Sequence, residues 1–197
     1  MKTKLLLIIL LGILSSGCQI IERDPFGQTE SSIDDELLPY YEAFLDEREK
    51  LGFTTPLPDI NIVFGDNLES KTWRGQCAVD YTEKDDKRYI TERTITIRQD
   101  HYERVMKQDG EGYHKGIEML VFHELAHCFW EVEHSDKQYL RTIQIDNYEQ
   151  EVLCRDLMHY TGNSYRGTRD YLCYTQHFDL YQQQLYDIMI TSNPGWR

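Results

Sequence analysis

Hydrophobic positions along this chain recur with two different periods, and the switches between them outline its elements. Lys2 and Lys4 precede an apolar run from Leu5 to Leu14, too short for a comfortable membrane span and suited to a signal peptide. Beyond a polar stretch, Leu37, Leu38, Tyr41, Phe44 and Leu45 fall at helical spacing. They predict an amphipathic helix over 32–51, with Pro39 in its first turn and Gly52 as its stop. Strands are expected over 60–64, 77–81 and 89–98, and the charged run 83–87 as a solvated hairpin tip. The 89–98 strand is the clearest, with Ile95 and Ile97 on one face and Thr94, Thr96 and Arg98 on the other. A short helix over 101–108 should be broken by Asp109-Gly110-Glu111-Gly112. Helices are then expected over 115–130, 147–156 and 176–191, the first apolar on most sides and therefore buried. The whole reads as α+β, a small mixed sheet packed on the 115–130 helix with a helical C-terminal part.

That buried helix carries His123-Glu124-Leu125-Ala126-His127. Two histidines at i and i+4 lie one above the other, so both imidazoles reach one metal without bending the backbone. This is the H-E-x-x-H zinc-hydrolase pattern, with the glutamate placed as general base. Three polar groups on a buried helix are costly without partners, and a zinc ion plus a water satisfies all three. A catalytic zinc keeps three protein ligands and one position for water. His134 is the preferred third ligand over Glu133. On an unbroken helix it would lie about 10.5 Å beyond His127, so the helix must stop near Trp130 and the chain fold back.

Together with Asp156-Leu157-Met158-His159-Tyr160 downstream, the pattern resembles the metzincin metallopeptidases, whose motif is H-E-x-x-H-x-x-G-x-x-H followed by a methionine turn. Leu-Met-His-Tyr is similar to the turn of the astacin branch. The resemblance covers roughly 117–160. It implies a zincin-like fold with a Met-turn, one catalytic Zn2+ held by His123, His127 and His134, and Glu124 as base. It also implies Met158 as the floor of the site and Tyr160 as an auxiliary ligand or hydrogen-bond donor. Two departures stand out: Trp130 takes the place of the family glycine, and the last histidine comes one residue late. In the family, a strand lying along the cleft holds extended peptide by strand addition; the sequence does not say which strand that is.

Leu14-Ser15-Ser16-Gly17-Cys18 resembles a bacterial lipobox, which implies removal of 1–17, lipidation of Cys18 and a tether over 18–31, followed by one domain over 32–197. Gln19 after the cysteine resembles an outer-membrane address in a diderm host. The remaining Cys77, Cys128, Cys154 and Cys173 are an even set, suited to up to two disulfides in an oxidising compartment; three pairings are open. A net charge of −13 disfavours nucleic acid as a partner. His101, His114 and His177 are structural by default.

The expected function is peptide-bond hydrolysis by a lipid-anchored extracytoplasmic zinc endopeptidase acting on peptides or proteins. One alternative draws the third ligand from Glu149 or Glu151 on the following helix, as in gluzincins. Another is a non-catalytic lipoprotein that uses zinc for stability.

Overall fold

A computed structural model describes residues 31–107, 111–145, 147–159 and 168–192. The expected signal segment, Cys18, the tether up to residue 30 and Tyr160 lie outside the described residues. The fold is mixed α+β, with two small sheets and five helices among the described residues. No helix among them is long and apolar enough to cross a membrane.

Helix α1 (Leu38–Lys50) has Pro39 in its first turn, Arg48 and Lys50 in its last, and ends where Gly52 turns left-handed at φ 88°. It starts later than its periodicity suggests because the preceding residues join the sheet. Ile33 bridges Ile62, and the Asp34 carboxylate accepts the Phe64 N–H at 2.6 Å.

Strands β1 (Asn61–Gly65), β2 (Gly75–Lys84) and β3 (Lys87–Arg98) form the first sheet in the order β1-β3-β2. β1 runs parallel to β3 with Ile62 beside Ile95; β2 runs antiparallel with Cys77 opposite Ile95. Asp85 and Asp86, both left-handed, make the tight turn between β2 and β3. Ile62, Ile95 and Ile97 point inward and are fully buried. β2 has no second strand partner among the described residues, so it is a sheet edge. Helix α2 (Gln99–Met106) leads on to the central helix α3 (Glu111–Trp130).

α3 begins earlier than expected, with Gly112 already inside its first turn, and ends at Trp130 as expected. Ile117, Leu120, Val121, Leu125 and Ala126 are buried around its circumference, because α1, α2, β2, β3, α4 (Thr168–Gln176) and α5 (Phe178–Ser192) all pack on it. Truncating a core side chain here, such as Leu125, to alanine should cost about 2–5 kcal/mol.

The helix expected over 147–156 is not formed. That stretch is strand β5 (Tyr148–Arg155), paired antiparallel with β4 (Gln138–Ile145) so that Ile143 faces Gln150 and Tyr139 faces Cys154. Glu149, Gln150 and Glu151 are good helix formers, but tertiary context outweighs propensity. Val152 and Cys154 alternate inward to join Ile143 and Cys173 in a small second core.

Two disulfides choose one of the three possible pairings. Cys77–Cys128 ties β2 to α3, and Cys154–Cys173 ties β5 to α4. For sequence separations of 51 and 19, loop closure alone gives about 4 and about 3 kcal/mol respectively.

Candidate metal centre

Helix α3 presents His123 and His127 on one face, and the chain then reverses. The Glu131 N–H closes the last turn onto the His127 carbonyl at 3.0 Å, and Glu131 itself is left-handed at φ 51°. This residue supplies the stop for which the sequence offers no glycine or proline. The returning segment 131–137 is held against 156–159. The Ser135 N–H donates to the Met158 carbonyl at 2.7 Å, the Ser135 hydroxyl donates to Asp156 Oδ2 at 2.7 Å, and Ser135 bridges His159. His134 is thereby brought back over the helix.

The result is a three-histidine cluster. The Nε2 atoms of His123, His127 and His134 stand 3.0 Å to 3.1 Å apart. His123 Nδ1 lies 2.7 Å from the Leu157 carbonyl and His127 Nδ1 lies 2.5 Å from the Val132 carbonyl. A carbonyl oxygen only accepts, so each Nδ1 carries the proton and each Nε2 points a lone pair at the common centre. Lone pairs converging at this distance repel unless a cation lies between them. Carbonyl-anchored Nδ1–H groups are also the usual outer support of metal-bound histidine. Tetrahedral zinc with Zn–N bonds of about 2.0–2.1 Å separates its nitrogens by about 3.3–3.4 Å, close to the spacing seen. The donor set therefore fits a borderline divalent ion such as zinc.

Burial keeps the ligands neutral. Desolvation, aided by the neighbouring His127, pushes His123 down to about 3, and desolvation with His134 beside it pushes His127 down to about 4. His134 is lowered by the same cause.

Glu124, 1 % exposed, turns from α3 toward β2, and its Oε1 meets no hydrogen-bond partner among the described residues. Desolvation pushes its carboxyl up to about 8, opposed by the Cys77 backbone N–H that it accepts. It lines a cleft of about 340 Å³ with Trp73, Gly75, Cys77, His127 and His134. A Cβ placed on Gly75 would lie 2.8 Å from Glu124 Oε1, so the strand can approach the carboxylate this closely only as glycine. Gly75 and Cys77 were not among the expected site residues. A glycine opening the strand that holds a cysteine was the available signal.

A larger cavity of about 460 Å³ lies away from this cluster, lined by Glu47, Lys50, Lys115 and Glu118. Two of its carboxylates are engaged: Glu47 by Lys50 and Gln182, Glu118 by Lys115 and Tyr174.

Met158 is buried beside the cluster and contributes its carbonyl to Ser135. Glu133 is exposed and outside the cluster. Glu149 and Glu151 are exposed on β5, a strand rather than a helix, and are likewise outside it. His114 meets the Tyr40 hydroxyl at 3.2 Å and His177 donates to the Thr142 carbonyl at 2.8 Å, both structural contacts. No family model, curated protein or solved structure matches the chain.

Proposed function

We propose that this chain is a zinc-dependent endopeptidase of metzincin-like type, lipid-anchored through Cys18 in a bacterial envelope and working outside the cytoplasm. The observation that carries the reading is the pairing of three convergent imidazole lone pairs with a buried, half-unpartnered carboxylate, at a cleft that Glu124, His127 and His134 line. His123, His127 and His134 would hold the ion, which when bound supplies a Lewis acid that polarises a carbonyl and acidifies water. With the ion's positive charge nearby drawing the carboxyl down from its metal-free value, Glu124 would be ionised, take a proton from the attacking water and return it to the leaving amine nitrogen. An extended peptide would lie along the free edge of β2 by strand addition.

The ligand loop supports the family likeness despite its irregular spacing. In the metzincin motif the glycine precedes the third histidine by three residues. Here the left-handed residue is Glu131, three before His134, so the extra residue is absorbed by one more step of helix. Met158 beside the cluster agrees with a Met-turn, and Tyr160 follows it in sequence with the role that likeness gives it. The two disulfides suit an oxidising compartment, and the charge of −13 suits protein rather than nucleic acid partners.

A non-catalytic zinc-stabilised protein would be expected to close its site with four protein ligands, whereas three are gathered among the described residues. Glu124→Gln separates the two readings. It should retain one zinc per chain and lower chelator-sensitive cleavage of unfolded protein by about 10²–10⁴-fold. Undiminished cleavage would remove Glu124 from the chemistry.

A further inference from the structure

Strand β2 grips Glu124 in three ways. Gly75 leaves no room for a side chain against Oε1. The Cys77 N–H donates to the carboxylate. The Cys77 side chain is bonded to Cys128, which follows Glu124 by four residues and so shares its helix face. From the adjacent strand, Arg93 Nε donates to the Cys128 carbonyl at 3.2 Å, fixing the same helical turn from a second direction. None of these contacts involves a histidine. Cys128 is one step past His127, about 100° around the helix, and points away from the ligand face.

We propose that the Cys77–Cys128 disulfide is a positioning device for Glu124, pinning segment 75–77 against the carboxylate so that proton transfer, rather than metal retention, depends on this one bond. The inference rests on the hydrolase reading above. Opening the bond leaves a chain that holds its ion and turns over slowly, so activity is confined to oxidising surroundings. A dithiol opens it by thiolate attack on one sulfur, leaving two thiols on the protein and a disulfide on the reductant.

The test compares zinc-loaded wild type with two paired variants, Cys77→Ala/Cys128→Ala and Cys154→Ala/Cys173→Ala. Three quantities are read: zinc content, steady-state cleavage of fluorescently labelled unfolded casein, and hydrogen exchange at the residue 77 amide. In the first pair zinc should stay at one per chain. Its kcat should fall about 10–100-fold with KM within about twofold, as misplacement of a reacting group by about 1 Å does. The residue 77 amide should exchange faster. In the second pair kcat should hold. Unchanged kcat and unchanged amide protection in the first pair would overturn the proposal, as would a rise in KM at constant kcat, which would make β2 a substrate wall alone. Should the first pair fail to fold, Gly75→Ala decides with both disulfides intact: lowered kcat at full zinc content supports the clamp and unaltered kcat sinks it. If wild type cleaves nothing, the hydrolase reading falls, and amide exchange at residue 77 still tests the clamp by itself.

Discussion

His127 and His134 reach the same point by different routes. His127 is placed by the period of a buried helix, with apolar side chains packed on most of its sides. His134 hangs from segment 131–137, placed by one left-handed residue and by Ser135 leaning on Asp156 and Met158. The helical half is rigid because moving it would disturb the core. The loop half is held by a few hydrogen bonds, and the low-stability end of a fold is where such segments belong. Perturbing each half in turn measures how far the metal centre depends on each kind of support.

The largest effect should come from the ligands themselves. His127→Ala and His134→Ala should both weaken zinc binding by more than the roughly 10–100-fold that loss of an outer-shell partner costs. Competition with a chromogenic chelator measures this. If His134→Ala bound zinc as tightly as wild type, the loop half would not be part of the centre.

Removing the metal should reveal the helical half through pH. In the metal-free protein His123 and His127 titrate near 3 and near 4, against 6.5 when unfolded, so the unfolded state binds more protons below pH 6.5. Stability should therefore fall as pH drops from 6.5. Glu124 works in the opposite sense. Its carboxyl, raised to about 8 from 4.5, contributes stability that is full below 4.5 and lost as pH rises toward 8. Metal-free stability should peak near pH 6.5, and Glu124→Gln should flatten the alkaline decline. Denaturant midpoints across pH check both signs.

A smaller loss is expected from the loop support. Ser135→Ala removes the donor to Asp156, whose Oδ1 already lacks a partner among the described residues and whose carboxyl is raised by burial. It should cost about 1–3 kcal/mol of stability and at most about 10–100-fold in zinc affinity. The His123 contact to the Leu157 carbonyl should stay in place, visible as an unchanged His123 Nδ1–H resonance.

The same contrast explains what could be read from the sequence. His123, Glu124 and His127 are legible because helical spacing alone brings them together. The strand pattern of Ile95 and Ile97 and the Pro39 and Gly52 boundaries of α1 were legible for equally local reasons. The end of α3 at Trp130 followed from the reach His134 needs, but the residue that makes the turn was not legible, because a glutamate rather than a glycine adopts the left-handed conformation. The hairpin β4–β5 was hidden by its Glu- and Gln-rich second strand. Asp146-Asn147 between two alternating runs, with Thr142, Ile143 and Ile145 in the first, was the signal for it. The cysteine pairing needed three dimensions.

The smallest effect concerns that left-handed turn. Glu131→Gly should leave zinc binding unchanged and raise stability by up to about 1 kcal/mol, since a non-glycine residue there costs about 1–2 kcal/mol and glycine returns part of this as chain entropy. Glu131→Val should do the reverse. Thermal unfolding of the pair, each at full zinc load, checks the direction.

X-ray absorption spectroscopy of the zinc-loaded wild-type protein tests the metal centre most directly. One zinc per chain is expected, bound by three imidazole nitrogens and one light oxygen ligand at about 2.0–2.1 Å, with one imidazole lost in His134→Ala. A folded protein that takes up no zinc, or a shell of four protein ligands with no oxygen from water, would contradict it.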